Sequence, residues 1–414
     1  MKIKKKELYY ILFIFLFCIF TAKDGVTFSI SLFFALILKI CIIVKNREKI
    51  GFYKKVTIWF LFLMGIVMAN NSGNTHWIRP FITFTMLIIF IGLSKNSSND
   101  TIIVLLDVII KFAIVSSFTI IVQLFVPNIF DNNIYSLYGS NIKQVLLEQK
   151  LSESYYAGIF PSPACASTIL VCGIFALMAK KNKKIKNWMI LFLGIVATGK
   201  RTQLLFVFVV AFGYIFFNNI EKEKRNRILK GILFVLIGLL LFYILILFAP
   251  TDKLGAIGRL IDGFKTIFQS ADTVSLDIAT AGRYSTYKEA WQYFLNHPIR
   301  GIGWNKFSEI NYNVYLGTNL TNVHNIYIQL LCDAGIIGLL GFLIPAFYTL
   351  WYSKKYVRYN RVYLFAYLYQ IYFLLFGLTE TAFDFSLAYS IYFICIGFII
   401  SSRNQEGIKY QKQI

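Results

Sequence analysis

Charge is scarce in this sequence, and it leans one way. Asp, Glu, Lys and Arg make up 15% of 414 residues, with 42 Lys and Arg against 20 Asp and Glu. A soluble domain carries about 25% charged residues. A chain this poor in them, at 57% hydrophobic and 18% aromatic, is excluded from the ordinary water-soluble class. Histidine is rarer still: there are three, too far apart in sequence to suggest a metal site. The six cysteines (Cys18, Cys41, Cys165, Cys172, Cys332, Cys395) show no CxxC or zinc spacing and fall in or beside apolar runs. That excludes a disulfide framework and leaves small packing residues. No DxD, P-loop or GxGxxG motif occurs, so cytoplasmic sugar-nucleotide chemistry has no visible apparatus. No metal or cofactor is expected.

What the sequence has in abundance is apolar run. Twelve candidate spans are long enough for about 30 Å of hydrocarbon or close to it. They lie at about 8–22, 25–44, 56–70, 80–94, 101–126, 155–179, 187–199, 202–219, 229–249, 333–352, 362–379 and 382–401. The expected fold is all-α: a single polytopic membrane domain over 1–414, with an extracytoplasmic loop subdomain at 250–332 between spans nine and ten. The basic start "MKIKKKELYYILFIFLFCIFTA" reads as an uncleaved first helix rather than a secretory signal.

A net charge of +22 raises the prospect of nucleic acid, but its location excludes that partner. One set of alternate short loops and the two termini hold 27 of the 42 Lys and Arg. The opposite set holds 13, seven of them in the one long loop, where the positive-inside rule carries little weight. Both termini are therefore expected in the cytoplasm and both long connections (127–154 and 250–332) outside, with membrane lipid as a partner of the basic loops.

The large outer loop has its own periodicity. Ile257, Leu260, Ile261, Phe264, Ile267 and Phe268 predict an amphipathic helix on the outer surface or on the spans. A second helix is expected from Arg283 to Phe294, with Tyr284, Tyr287, Trp291 and Phe294 on one stripe. "NHP" stops it, because Pro298 biases the preceding residue away from helix. "RGIGWN" then reads as a tight turn.

Three outer features could carry chemistry. Lys200 and Arg201 fill the turn between spans seven and eight, against the charge bias. They are either snorkelling helix-end cations or a clamp for an anionic headgroup, with Arg201 offering a planar fork for phosphate oxygens. In "GRYSTYKEAWQYFLNHPIRGIGW", Arg283, Lys288 and Arg300 accompany Trp291 and Trp304. The aromatics either stack on sugar or form the core of a small loop domain. His297, before a proline, reads as a turn residue. His324, followed by Asn325, ends the outer loop as either an interfacial capping residue or a base, since imidazole takes a proton near neutral pH. Within the bilayer, Asp107 and Lys111 stand four apart on one face and are expected to pair. Glu380 and Asp384, in the turn "TETAFD", are candidates to line an outer cavity.

"GRYSTYKEAWQYFLNHPIRGIGWNKF" followed by "VHNIYIQLLCDAGIIGLLGFL" resembles the signature region of the O-antigen ligase and polysaccharide polymerase family (Wzy/WaaL-like). The pattern is an Arg-led helix with a Trp, an "HP-x-x-G-x-G" turn, then "HN" with "G-x-x-G" in the next span. The resemblance implies a metal-independent, inverting membrane glycosyltransferase of the bacterial cytoplasmic membrane. Its donor would be a glycan on a polyprenyl pyrophosphate, presented on the outer face. Family arginines fall at Arg201 and Arg283 and the family histidine at His324; Lys200 and Thr202 replace the usual small residues around the first arginine. These three are the expected catalytic residues. Lys200, Lys288, Arg300, Trp291, Trp304 and Asn325 are expected to bind substrate, and a chain-length regulator is a candidate partner. A repeat-unit polymerase is the favoured activity. The alternatives are a ligase that moves finished glycan to a terminal acceptor and, from another class, a flippase for lipid-linked oligosaccharide.

Overall fold

A computed structural model describes residues 99–138, 140–180, 184–218, 283–304, 306–310, 312–313, 318–319, 323–357, 361–380, 387–389, 391–396 and 399. Spans one to four and nine, the expected amphipathic helix at 257–268, Asp384 and both termini lie outside the described residues. The described elements are helical apart from one pair of two-residue strands, β1 (Tyr312–Asn313) antiparallel to β2 (Thr318–Asn319).

Span five is α1 (Asn99–Phe125). The connection after it contains α2 (Ser140–Glu153). Span six is α3 (Pro163–Ala179), which begins eight residues later than its apolar run. Pro161 and Pro163 bracket that start, and proline at a first helical position is pre-set for the helix while blocking its extension backwards. Spans seven and eight are α4 (Ile185–Ala197) and α5 (Arg201–Asn218). In the large loop, α6 (Arg283–Asn296) ends before His297-Pro298, as expected. Spans ten and eleven are α7 (Ile326–Tyr356) and α8 (Arg361–Phe376). By length and apolarity, Leu106–Phe125 and α7 are each able to cross a membrane.

α7 is two helices in sequence. Gly335 carries φ 64° and ψ −165°, and the break brings Ala334 so close to Gly338 that a Cβ on the latter would lie 2.3 Å from the Ala334 Cβ. Residues 336–356 form the long apolar piece, and 326–334 are folded away from its axis. The turn 297–303 docks into the break. Ile302 and Gly303 donate their N–H groups to the carbonyls of Cys332 (2.8 Å) and Asp333 (2.9 Å), and Ile336 donates to Pro298 (2.9 Å). Gly301 (φ 69°) and Gly335 face this contact with no room to spare: a Cβ on either would come within 2.4 Å of the other segment's backbone. The "G-x-G" of the turn and the first glycine of "G-x-x-G" are thus the two halves of one joint.

Chain packing divides the protein into two compact units, 1–113 with 172–184 and 282–414, and 114–171 with 185–281. In the first, α7 and α8 pack through Gln370, which accepts from Thr349 (2.8 Å) and donates to Ser353 (3.4 Å). Asp107 of α1 pairs with Lys180 beyond the end of α3, where the sequence had pointed to Lys111 one turn along. In the second, Gln123 pins the connection after α1 to that helix. Its amide donates to the Tyr135 hydroxyl (2.5 Å) and accepts from the Gly158 N–H (2.8 Å).

Candidate functional site

α6 opens with Arg283 and lays Thr286 and Ala290 inward. Ala290 joins Phe307, Val323 and Cys332 in a small core against which Tyr287, Tyr293, Ile302 and Ile328 pack. The aromatic stripe expected on this helix is therefore split. Tyr287 faces the core, whereas Tyr284 and Trp291 stand on the exposed side.

That packing brings α6 to the start of α7. Asn325 is the N-cap of α7: its side-chain oxygen accepts from the N–H groups of Tyr327 (3.0 Å) and Ile328 (3.1 Å), and its amide donates to the Leu378 carbonyl (3.0 Å). The Ile326 N–H bonds to the Gly377 carbonyl (2.7 Å), which fastens the end of α8 to the same point. The cap is Asn325, not the histidine beside it.

His324 is held in the left-handed region at φ 53°, a conformation costly for a side chain with a Cβ and kept only where neighbours enforce it. Three contacts do so. The Tyr287 hydroxyl donates to the His324 carbonyl (3.1 Å), and Gln329 accepts from the Val323 N–H (3.2 Å) while donating to the buried Asp333 carboxylate (2.8 Å). The Asn325 cap is the third. Burial pushes the Tyr287 hydroxyl above its usual range despite the opposing pull of the Arg283 cation, so it remains a proton donor.

Glu380, just beyond the end of α8, lies between the two signature residues. One carboxylate oxygen is 3.4 Å from His324 Nδ1 and the other 4.0 Å from an Arg283 guanidinium nitrogen. The Glu380 side chain is 10% exposed, against 30% for Arg283 and 39% for His324. A carboxylate against Nδ1 favours the tautomer that carries its proton there and leaves Nε2 as acceptor. The arrangement can therefore take a proton from a hydroxyl while a cation stands ready for an anion.

Of the other expected site residues, Lys288 and Arg300 are exposed and Trp304 is half-buried. In the second unit, Gly199 (φ 75°) closes α4 and Thr198 Oγ1 accepts from the Lys200 N–H (3.3 Å). The Lys200 ammonium lies 4.5 Å from the Tyr155 ring centre. Arg201 opens α5, as Arg283 opens α6, and neither helix has an acidic residue in its first turn. Each arginine therefore adds its charge to the positive end of a helix, a setting that favours an anion.

Residues 187–343 match the family model described as "O-Antigen ligase", a stretch that contains Arg201, Arg283 and His324. Over this stretch the chain is similar to the O-antigen ligase family. It is also similar to the teichuronic acid biosynthesis protein TuaE of Bacillus subtilis, at 28% identity over 186 residues. The matched stretch covers 42% of this chain and 36% of that protein, so the chain spans little more than a third of that relative's length. Glu380 lies beyond the family match, and nothing local in "TETAFD" ties it to a histidine 56 residues earlier.

Proposed function

We propose that the protein is an integral-membrane glycosyltransferase of envelope polysaccharide assembly, moving a glycan from a polyprenyl-pyrophosphate carrier onto an acceptor hydroxyl on the outer face of the bacterial cytoplasmic membrane. The observation that carries this is the convergence of Arg283, Glu380 and His324. The acceptor hydroxyl gives its proton to His324 Nε2 as its oxygen bonds to the sugar C1. The bond from C1 to the pyrophosphate oxygen breaks, and that oxygen keeps the electron pair. Direct displacement inverts the anomeric centre. Arg283 binds phosphate oxygens where negative charge grows, which lowers the barrier more than binding the resting donor would. Glu380 orients the imidazole and attracts the imidazolium as it forms.

Within this reading the polymerase is favoured, adding a lipid-linked chain to the next repeat unit. A relative named for teichuronic acid biosynthesis fits an envelope polymer, and the Lys-, Ile- and Asn-rich composition fits an AT-rich genome of the kind common in Gram-positive bacteria. A ligase remains the second reading because the matched family description names one. Deletion of the gene separates them: single-repeat glycan accumulating supports the polymerase, and long chains left on lipid support the ligase.

The test of the chemistry is transfer by the purified full chain in detergent, with no sealed compartment, from a lipid-linked donor to a lipid-linked acceptor. Arg283→Ala and His324→Ala should each abolish product at unchanged protein yield. Arg283→Lys should also be damaging, because an ammonium lacks the bidentate fork. A normal product ladder from either alanine variant removes that residue from the site. Absence of any transfer by the parent protein, with lipid-linked glycan movement in sealed vesicles, replaces the enzyme with a flippase.

A further inference from the structure

The side of α6 turned away from its core presents Tyr284, Lys288, Trp291 and Leu295, and the docked turn continues this surface with Ile299. Trp291 is 46% and Ile299 61% exposed, although the same helix has a core into which aromatics pack. Large apolar groups left outward on a loop helix call for an occupant.

Continuity with α7 identifies it. After the break, α7 exposes one apolar stripe: Ile336, Leu340, Ile344, Phe347 and Trp351. No residue of 326–335 is exposed. The stripe ends below at the exposed cations Lys354 and Lys355. From Lys354 to Ile336 a helix rises about 27 Å at about 1.5 Å per residue. The hydrocarbon layer is about 30 Å thick, so a stripe ending at Ile336 stops just short of the far boundary. What continues it is the docked turn, because the Pro298 carbonyl accepts the Ile336 N–H and the Ile299 backbone lies against Gly335. Ile299 thus stands at the upper end of the lipid-facing stripe, with Leu295 and Trp291 one and two turns further back. Tilting α7 only sets this turn deeper. A Tyr, a Lys and a Trp on the outward side are the side chains that settle where acyl chains meet headgroups, the lysine reaching out past its own stem.

We infer that the outward side of α6 and the turn 297–303 form an interfacial anchor, seated at the acyl–headgroup boundary of the leaflet that faces the Arg283–Glu380–His324 cluster, with bulk lipid as the occupant. Trp291 then contacts membrane rather than sugar, and the anchor sets the depth of the helix that carries Arg283. This does not depend on the proposed chemistry, since it holds for any protein that α7 threads through a bilayer.

The experiment uses the full chain reconstituted in vesicles of phosphatidylethanolamine and phosphatidylglycerol, free of polyprenyl lipid, with acyl chains brominated near the headgroup end. Parent emission minus that of Trp291→Phe isolates one indole. The expected result is a loss of at least about half of that difference signal with brominated lipid, and little loss with aqueous iodide. A second report comes from Leu295→Trp in the Trp291→Phe background, which should be quenched in the same way. Quenching by iodide alone shows the surface in water and overturns the inference. Quenching by neither shows it covered by protein, a second copy included, and overturns it equally.

Discussion

Glu380→Gln removes one charge from the cluster while keeping its shape. At 3.4 Å from His324 Nδ1, the carboxylate would stabilise an imidazolium by about 5 kcal/mol at an effective dielectric of about 20. With the His324 side chain 39% exposed, solvent screens most of this. A realistic contribution is about 1–2 kcal/mol, or about 5- to 30-fold in rate. The same carboxylate lies 4.0 Å from Arg283 and repels an incoming pyrophosphate. Its neutralisation should therefore lower the KM for donor, or leave it unchanged, while kcat falls about 5- to 30-fold. That split separates positioning from mere scaffolding, which would lower yield and thermal stability instead. Steady-state transfer at saturating acceptor and varied donor gives both constants, and Glu380→Asp should restore part of kcat because the charge remains. A kcat within about twofold of the parent, or a raised KM at constant kcat, refutes the assignment of Glu380 to His324.

Two further outcomes test the frame that holds the cluster. Gly301→Ala and Gly335→Ala each put a Cβ within 2.4 Å of opposing backbone at a positive φ, so each should cost at least about 2 kcal/mol and lower the unfolding temperature of the detergent-solubilised protein. Gly213→Ala, where an added Cβ meets nothing within 4 Å, is the control and should leave stability unchanged or slightly raised. A double-mutant cycle on Asp107 and Lys180 should give a coupling of about 0.5–1 kcal/mol in unfolding measurements, larger than the Asp107–Lys111 cycle; equal couplings would restore the local pair as the dominant one.

The helices were legible because their determinants are local. Apolar length marked α1, α4, α5 and α8 to within two residues at their starts, and Asn296-His297-Pro298 ended α6 where the sequence indicated. What escaped was tertiary. Lys111 was the natural partner for Asp107 on a helical wheel, but Lys180 reaches it from another helix 73 residues away. Tyr287 shared a stripe with Trp291, yet a small rotation of the wheel puts one on the core and leaves the other outside. The glycines of the turn and of α7 were each visible, but their mutual contact was not, because neither segment alone shows why it must be bare. Glu380 was weighed only as a cavity lining, since a carboxylate in a short turn carries no mark of the histidine it meets.

The meeting of His324 with Glu380 follows from the helices that carry them. Residues 336–356 of α7 rise about 30 Å, enough for the hydrocarbon layer. α8, packed alongside through Gln370, rises only about 22 Å over its 16 residues before Gly377 and Leu378 bind Ile326 and Asn325. The fold-back at Gly335 is what makes these lengths compatible: a straight α7 would carry Asn325 well beyond the end of α8. Segment 326–334 instead returns the histidine to the shorter helix, beside Glu380. With the Glu380 side chain 10% exposed, screening is weaker than in bulk water, which raises the cost of an unpaired carboxylate. Glu380 has Arg283 and His324 as neighbours, and on the proposed mechanism the donor must compete with it for Arg283 before transfer begins.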